Sequence, residues 1–299
     1  MTVAVTGATG MIGSALVRAL RAAGHTVRRL VRSTRDAQPG DAEWDPNATA
    51  MAPSVLDGCD AVIHLAGAPI AQRWTDAHKR DIRASRVNGT SLLARTIAAM
   101  REKPRVVLSG SAIGYYGDRG DELLDERSAP GTDFLASVAQ SWEAMAMPIA
   151  DAGVRLVVLR TGIVLSPTGG ALEKMLPPFR LGLGGPMGSG RQWMSWITLD
   201  DTVRAMLHAL DTDAVHGPVN VVSPNPVQNH EFVETLGHVL GRPAIIPAPA
   251  FALKLMFGEM ADATILSGQR IEPRALAQTG FTCKSPTLDS ALRDVIAQA

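Results

Sequence analysis

Three glycines in the first thirteen residues restrict what this chain can become more than any other feature. Residues 3–5 are apolar, Thr6 ends the run, and Gly7, Gly10 and Gly13 follow at three-residue spacing. Ile12, Leu16, Val17 and Leu20 then share one face of a helix that Gly24 stops, and 25–31 reads as a second strand. Strand, glycine turn, helix and strand in this order are the context in which a glycine motif marks a dinucleotide site. Gly7 permits the tight turn, Gly10 lets the backbone approach a pyrophosphate, and Gly13 lets helix and strand pack closely. Gly7, Thr9, Gly10, Met11, Ile12 and Gly13 are therefore the expected phosphate cradle, helped by the free N–H groups and positive end of the helix. The competing reading is a tight turn with no ligand.

Further βα units follow. Strands are expected at 61–65, 105–109 and 154–159, with helices at 76–100 and 134–150. Repetition at this length predicts an α/β fold, a doubly wound parallel sheet with helices on both faces. Residues 1–165 form the expected dinucleotide-binding domain and 166–299 a small substrate lobe. Within the lobe, 166–198 is rich in glycine and proline and reads as irregular, functional or mobile chain. A helix at 199–210 and a strand at 219–222 are expected to return to the sheet, followed by a helix at 229–240. Residues 249–296 form a distinct unit. Leu253, Met256 and Phe257 read there as helix packing, and Pro286, Leu288, Leu292 and Val295 as a terminal amphipathic helix.

Acidic and basic residues balance at 29 each, which argues against a nucleic-acid partner or a membrane surface. The most apolar stretch, 156–165, contains Arg160 and is too short to span a bilayer. Cys59 and Cys283 form no paired motif, so disulfide and zinc scaffolds are not expected. A strand that starts at Thr2 or Val3 leaves no room for a signal peptide. A reducing, cytoplasmic compartment is expected.

The G-x-x-G-x-x-G spacing of GATGMIG resembles the extended branch of the short-chain dehydrogenase/reductase superfamily, the NAD(P)-dependent epimerases and dehydratases. FRLGLGGPMGSGRQWMSWI and the last fifty residues are similar to one subgroup, the sugar-nucleotide epimerase-like "epimerase family" proteins, which carry a C-terminal segment of unknown function. The resemblance covers essentially the whole chain.

The end of the second strand reads RRLVRSTRD, with no acid before Asp36 to meet a ribose 2′-hydroxyl. Arg32 stands at the strand end, with Ser33 and Arg35 beside it. A guanidinium there suits a 2′-phosphate, which predicts NADPH or NADP as cofactor; the plainer reading is a solvated arginine. The resemblance places Leu65, Ala66 and Gly67 of HLAGAPI under the cofactor ribose and Val164 of LRTGIVLSP beside the nicotinamide. It puts Asp81 and Arg86 near the cofactor, against the alternative of a solvated ion pair. His64 reads as a packed strand-end histidine.

Relatives in the superfamily use a Tyr as general acid/base, with a Lys one helical turn on. Here Phe134 or Leu135 falls where the Tyr is expected and Val138 or Ala139 where the Lys is expected. Ser111 lies one residue from the usual hydroxyl position. The candidate catalytic residues are thus Ser111, Tyr115 and Tyr116, with the tyrosines readable equally as aromatic anchors. On the substrate side, Met194 and Ser195 replace the arginine and acid of the family pattern. Arg191, Trp193 and Trp196 are the expected substrate contacts, giving a more aromatic pocket. Glu122, Asp125 and Glu126 read as solvated loop acids. Two functions compete: an NADP(H)-dependent oxidoreductase or epimerase-like enzyme acting on an unidentified small molecule, and a non-catalytic NADPH-binding, redox-sensing protein.

Overall fold

The structure is a computed structural model and describes residues 1–33 and 37–298. In chain order, β1 (Thr2–Thr6), α1 (Met11–Ala22), β2 (Thr26–Val31) and β3 (Ala42–Glu43) come first. They are followed by β4 (Ala61–His64), α2 (Asp76–Ala99), β5 (Val106–Ala112), β6 (Leu123–Leu124), α3 (Phe134–Asp151) and β7 (Arg155–Thr161). Then come β8 (Ile163–Leu165), α4 (Gly170–Arg180), β9 (Trp193–Met194), β10 (Trp196–Thr198), α5 (Leu199–Asp211) and β11 (Gly217–Val221). The chain ends with β12 (Val227–Gln228), α6 (Asn229–Leu240), α7 (Ala250–Phe257), β13 (Arg270–Ile271), α8 (Arg274–Gln278) and α9 (Leu288–Ile296).

Seven strands form one parallel sheet in the order β11-β7-β5-β4-β1-β2-β3, the expected doubly wound arrangement. The chain winds from β1 out to β3, then returns to β4 and winds the other way. That reversal opens a crevice at the carboxyl ends of β1 and β4, where such sheets take ligands. Alternation along the strands divides the core. Val3, Val5, Ile63, Leu108 and Leu159 face α1 and α5, while Ala4, Val62, Val107 and Val158 face α2 and α3. A further core gathers α4, α6 and α9 around Trp196. Among the described residues no helix is long and apolar enough to cross a membrane.

The helix starts differ in a way that matters for the crevice. Thr75 accepts from the His78 N–H (3.1 Å), Asp133 from the Ala136 N–H (2.9 Å) and Thr198 from the Asp201 N–H (3.0 Å). These side chains satisfy N–H groups that a helix start otherwise leaves bare. α1 opens instead on Gly10, which has no side chain to do so.

Some expectations need correction. Residues 166–198 are not all irregular: 170–180 is α4, because Leu172, Leu176 and Phe179 bury one helical face despite Pro177 and Pro178. β5 runs on to Ala112, which places Ser111 on the strand itself. α7 exists, but only Leu253 and Phe257 of the expected trio pack. Met256 is 64% exposed, as are Phe251 and Leu255 at 75%, because nothing among the described residues covers that side of the helix.

Candidate functional site

The three glycines of the turn are needed for different reasons. Gly7 has φ +66°, and a Cβ there would lie 2.8 Å from the Leu65 carbonyl carbon. A Cβ on Gly13 would run into the Gly7 carbonyl. Both are demanded by the protein's own backbone. Gly10 is different: its φ of −74° suits any residue, and a Cβ would meet only the Gly7 oxygen at 3.4 Å, with open space beyond. Thr9 and Gly10 are exposed at the bare start of α1. Met11 and Ile12 are half-buried, and a Cβ on Gly169 would come 2.6 Å from the Met11 sulfur, so Met11 seals the turn to the chain before α4. The chemistry of this cradle fits a phosphate: bare N–H groups, space, and no acid in the first turn.

Across the crevice, Thr6 Oγ1 accepts from the N–H groups of Leu65 (3.1 Å) and Ala66 (3.2 Å). Its own proton therefore goes to His64 Nδ1 at 2.7 Å, and the ring keeps its hydrogen on Nε2, donated to Thr90 at 3.0 Å. Burial pushes His64 down to about 4, so the ring is neutral and packed. Gly67 lies over the Arg86 guanidinium, 3.2 Å from a Cβ placed there. Arg86 donates to the carbonyls of Ala68 (3.1 Å) and Ile82 (3.0 Å), stacks on Trp142, and is lowered to about 10 by burial. Asp81 is exposed and, among the described residues, pairs with nothing. Five residues of helix put it about 140° around α2 from Arg86. The two form neither an ion pair nor a common face.

At the end of β2, Arg32 is exposed and bonds to none of the described residues. Ser33 is exposed beside it, and Arg35 and Asp36 lie outside the described residues. Of the acids at the neighbouring strand, Glu43 is exposed opposite Val31, and Asp41 is engaged. Asp41 is tied to Arg29, whose hydrogen bonds overcome the effect of burial and hold the carboxyl below its usual range.

The carboxyl ends of β5 and β7 carry a closed polar cluster. Ser111 is buried and donates to Glu143 Oε1 at 2.6 Å. Arg160 holds both oxygens of Glu143 at 2.8 Å and donates to the Tyr116 hydroxyl at 3.0 Å. Tyr116 in turn donates to Asn220 Oδ1 at 2.7 Å. Burial works against the Arg160 charge, but Glu143 outweighs it and its pKa is raised. Two of the expected catalytic groups need correction. Tyr116 is fully buried, pushed up to about 12 by that burial, and spends its hydroxyl on Asn220 and Arg160. Ser111 spends its proton on a carboxylate. Tyr115 is half-buried, stacks on the Arg160 guanidinium at 3.5 Å, and its hydroxyl bonds to no described residue. Glu126 is no solvated acid: burial raises its pKa, and it accepts from the N–H groups of Asn220 (3.0 Å) and Ala275 (3.1 Å). Asp125 pairs with Arg274 and Glu122 with Arg119.

Glu143 and Arg160 escaped the sequence reading. Their signal was present: a lone arginine inside the most apolar strand must find a buried partner. The places expected for Tyr and Lys are apolar here. Phe134, Leu135 and Val138 pack with Trp74, Met260 and Ile265.

On the other wall, Val164 is buried on β8 opposite Ile197. Arg191 is exposed, with no side-chain partner among the described residues. Trp193 is half-buried and donates its indole N–H to Asp121 at 2.7 Å. Trp196 is not a pocket residue: it is fully buried among α4, α6 and α9, on the opposite side of β10 from Ile197, which packs in the sheet core. The described residues contain no cluster of side chains suited to a metal ion.

Comparison with known proteins agrees with this geometry. Residues 3–222 match the NAD dependent epimerase/dehydratase family, and 248–295 match a domain of unknown function, DUF1731. The epimerase family protein Mb2239 of Mycobacterium bovis is 43% identical over 291 residues, covering 97% of this chain and 96% of that protein. The crystal structure of human epimerase family protein SDR39U1 (isoform 2) with NADPH superposes with a TM-score of 0.92 at 37% identity over the full length of both chains. The nucleoside-diphosphate sugar epimerase of Corynebacterium glutamicum gives 0.81 at 37% identity, covering 99% of this chain and 58% of that one. A glycine cradle at the switch point of a doubly wound sheet, carried through to the C-terminal segment, places this chain in the NAD dependent epimerase/dehydratase family.

Proposed function

We propose that the protein is an NADPH-dependent oxidoreductase or epimerase-like enzyme acting on a small molecule in the cytoplasm. The observation that carries this reading is the pairing of a vacant-sided Gly10 with an Arg32, at the end of β2, that bonds to none of the described residues. The likeness to human SDR39U1, whose crystal structure is with NADPH, supports it. Gly7, Thr9, Gly10, Met11, Ile12 and Gly13 would hold the pyrophosphate, Arg32 and Ser33 the 2′-phosphate, and Leu65, Ala66, Gly67 and Val164 the ribose and nicotinamide. Arg86 would support the 66–68 loop from beneath, and Asp81 stays at the rim. The bound cofactor supplies a hydride.

The chain's own contribution is a proton and an orientation. Tyr115 is the candidate whose hydroxyl is still available, so it is assigned the proton. Ser111, its hydrogen given to Glu143, offers lone pairs to a substrate hydroxyl and no proton to a carbonyl. Glu143 is a poor base because Arg160 occupies both of its oxygens.

Fluorescence titration with NADPH and NADH tests the cofactor, with tighter NADPH binding expected and equal affinities against it. Stopped-flow NADPH oxidation with aldehydes, ketones and quinones, repeated with Tyr115→Phe, tests the proton. Tight NADPH binding without turnover on any of them favours the redox-sensing alternative, to which the apolar Phe134, Leu135 and Val138 cluster also lends support.

A further inference from the structure

Arg270 lies where the C-terminal segment crosses the substrate side of the crevice. Ser195 fixes that crossing, donating to the Gln269 carbonyl at 2.7 Å and accepting from the Ile271 N–H at 3.0 Å. The Ser195 carbonyl in turn accepts from Ile163, next to Val164. Ile271 packs with Tyr116 and Ile113, and Tyr115 lies against the same cluster. Arg270 is thus one residue from contacts to both walls of the proposed site. Its guanidinium lies over the Trp193 ring, 4.6 Å from the centroid. A Cβ on Gly268 would collide with the Trp193 backbone, so the chain passes close enough to set this stack.

What sets Arg270 apart is the missing acceptor. It is half-buried, its Nε is buried, and no nitrogen of its guanidinium bonds to any of the described residues. Every other half-buried or buried arginine among the described residues has an acceptor: Arg28 has the Val55 and Asp57 carbonyls, Arg83 has Ser137 and Ser141, Arg160 has Glu143. A buried guanidinium N–H without an acceptor is costly, and a planar fork on an aromatic shelf suits a carboxylate. Trp193 and Gly268 line a cleft of about 230 Å³ with Arg191 on its wall, and Arg270 is set back from that lining against the Trp193 ring. Asp118 and Asp121 line it too, and one Asp121 oxygen is taken by the Trp193 indole. The position of the family's diphosphate-binding arginine is filled by Met194, which is buried.

We propose that Arg270, stacked on Trp193, binds the carboxylate of a small substrate. This deepens the functional reading above and rests on it. The substrate class is a compact monocarboxylate rather than a sugar nucleotide.

The test is calorimetric titration of the full chain with sodium benzoate, sodium 2-oxobutyrate, benzamide, inorganic phosphate and UDP-glucose, with NADPH present and absent. Saturable binding of at least one carboxylate is expected, with benzamide, phosphate and UDP-glucose weaker. Arg270→Gln keeps a planar group on Trp193, and its binding of that carboxylate should fall about tenfold or more, the scale of a charge-assisted hydrogen bond. NADPH affinity should not change, and the same titration shows that the variant is folded. Equal binding by Arg270→Gln, equal binding of benzoate and benzamide, preference for phosphate or UDP-glucose, or no carboxylate binding in a chain that takes NADPH would each overturn the proposal. A chain that binds carboxylate through Arg270 and takes no NADPH would leave this site standing and remove the cofactor reading. Should Arg270→Gln fail to fold, the benzoate and benzamide comparison in the unmodified chain decides.

Discussion

At the glycine turn, Gly10 faces open space and Arg32 has no partner among the described residues. At the ends of β5 and β7, Ser111, Glu143, Arg160, Tyr116 and Asn220 are bonded to one another. The two regions lie on one sheet edge. One leaves its polar capacity unspent and the other consumes it internally. Unspent donors mark a place built for something outside the chain, whereas a saturated network holds strands together. Catalytic residue types are therefore a weaker guide than the state of their hydrogen bonds.

The sharpest way to break this contrast is Arg160→Met. It leaves Glu143 largely buried without its counter-charge and should cost about 3–5 kcal/mol of stability. Urea denaturation measures it, and a loss below about 1 kcal/mol would mean that the cluster is not a structural unit. At the open end, Gly10→Val should weaken NADPH binding about 100-fold or more, equivalent to about 2.7 kcal/mol. Its circular dichroism should stay native, because the φ of Gly10 suits valine. Arg32→Ala is expected to cost about 1–3 kcal/mol toward NADPH, as for a hydrogen bond to a charged group, and little toward NADH.

The smallest effect is expected from Tyr116→Phe, at about 1 kcal/mol of stability with turnover unaltered. It carries a pH signature. Burial holds Tyr116 protonated up to about 12, against about 10 in the unfolded chain. The native state binds more protons in that window, so its stability falls as pH rises from 10 through about 12. Tyr116→Phe should flatten that fall, and an unchanged pH profile would show that the hydroxyl is not buried as described.

The turn, the sheet and the helix faces were legible because their signals are local: glycine spacing, alternation and a 3.6-residue period. α6 was read at 229–240, where it lies. Arg160, alone in an apolar strand, signals a buried partner, but that the partner is Glu143 was not legible, since the pair joins a helix to a strand through the sheet order. Trp193 and Trp196 looked alike in sequence, and only the packing of α4, α6 and α9 shows that Trp196 belongs to the core. Arg270 gave no sign at all, because a missing acceptor becomes visible only once every neighbour is placed.

The β6–β13 pairing has a practical consequence for dissecting the chain. Arg270 and Ile271 add to Leu123 and Leu124, Glu272 bonds Asn220, and Arg274 bonds Asp125. The C-terminal fifty residues are thus woven into the first half, and the border between the matches ending at 222 and starting at 248 is no seam. A protease has ready access to the join before α7, where Ile245 is 80% exposed. The two fragments from such a cut should still elute together in gel filtration. The C-terminal unit, expressed alone, should be unfolded and should regain structure only when mixed with the remainder.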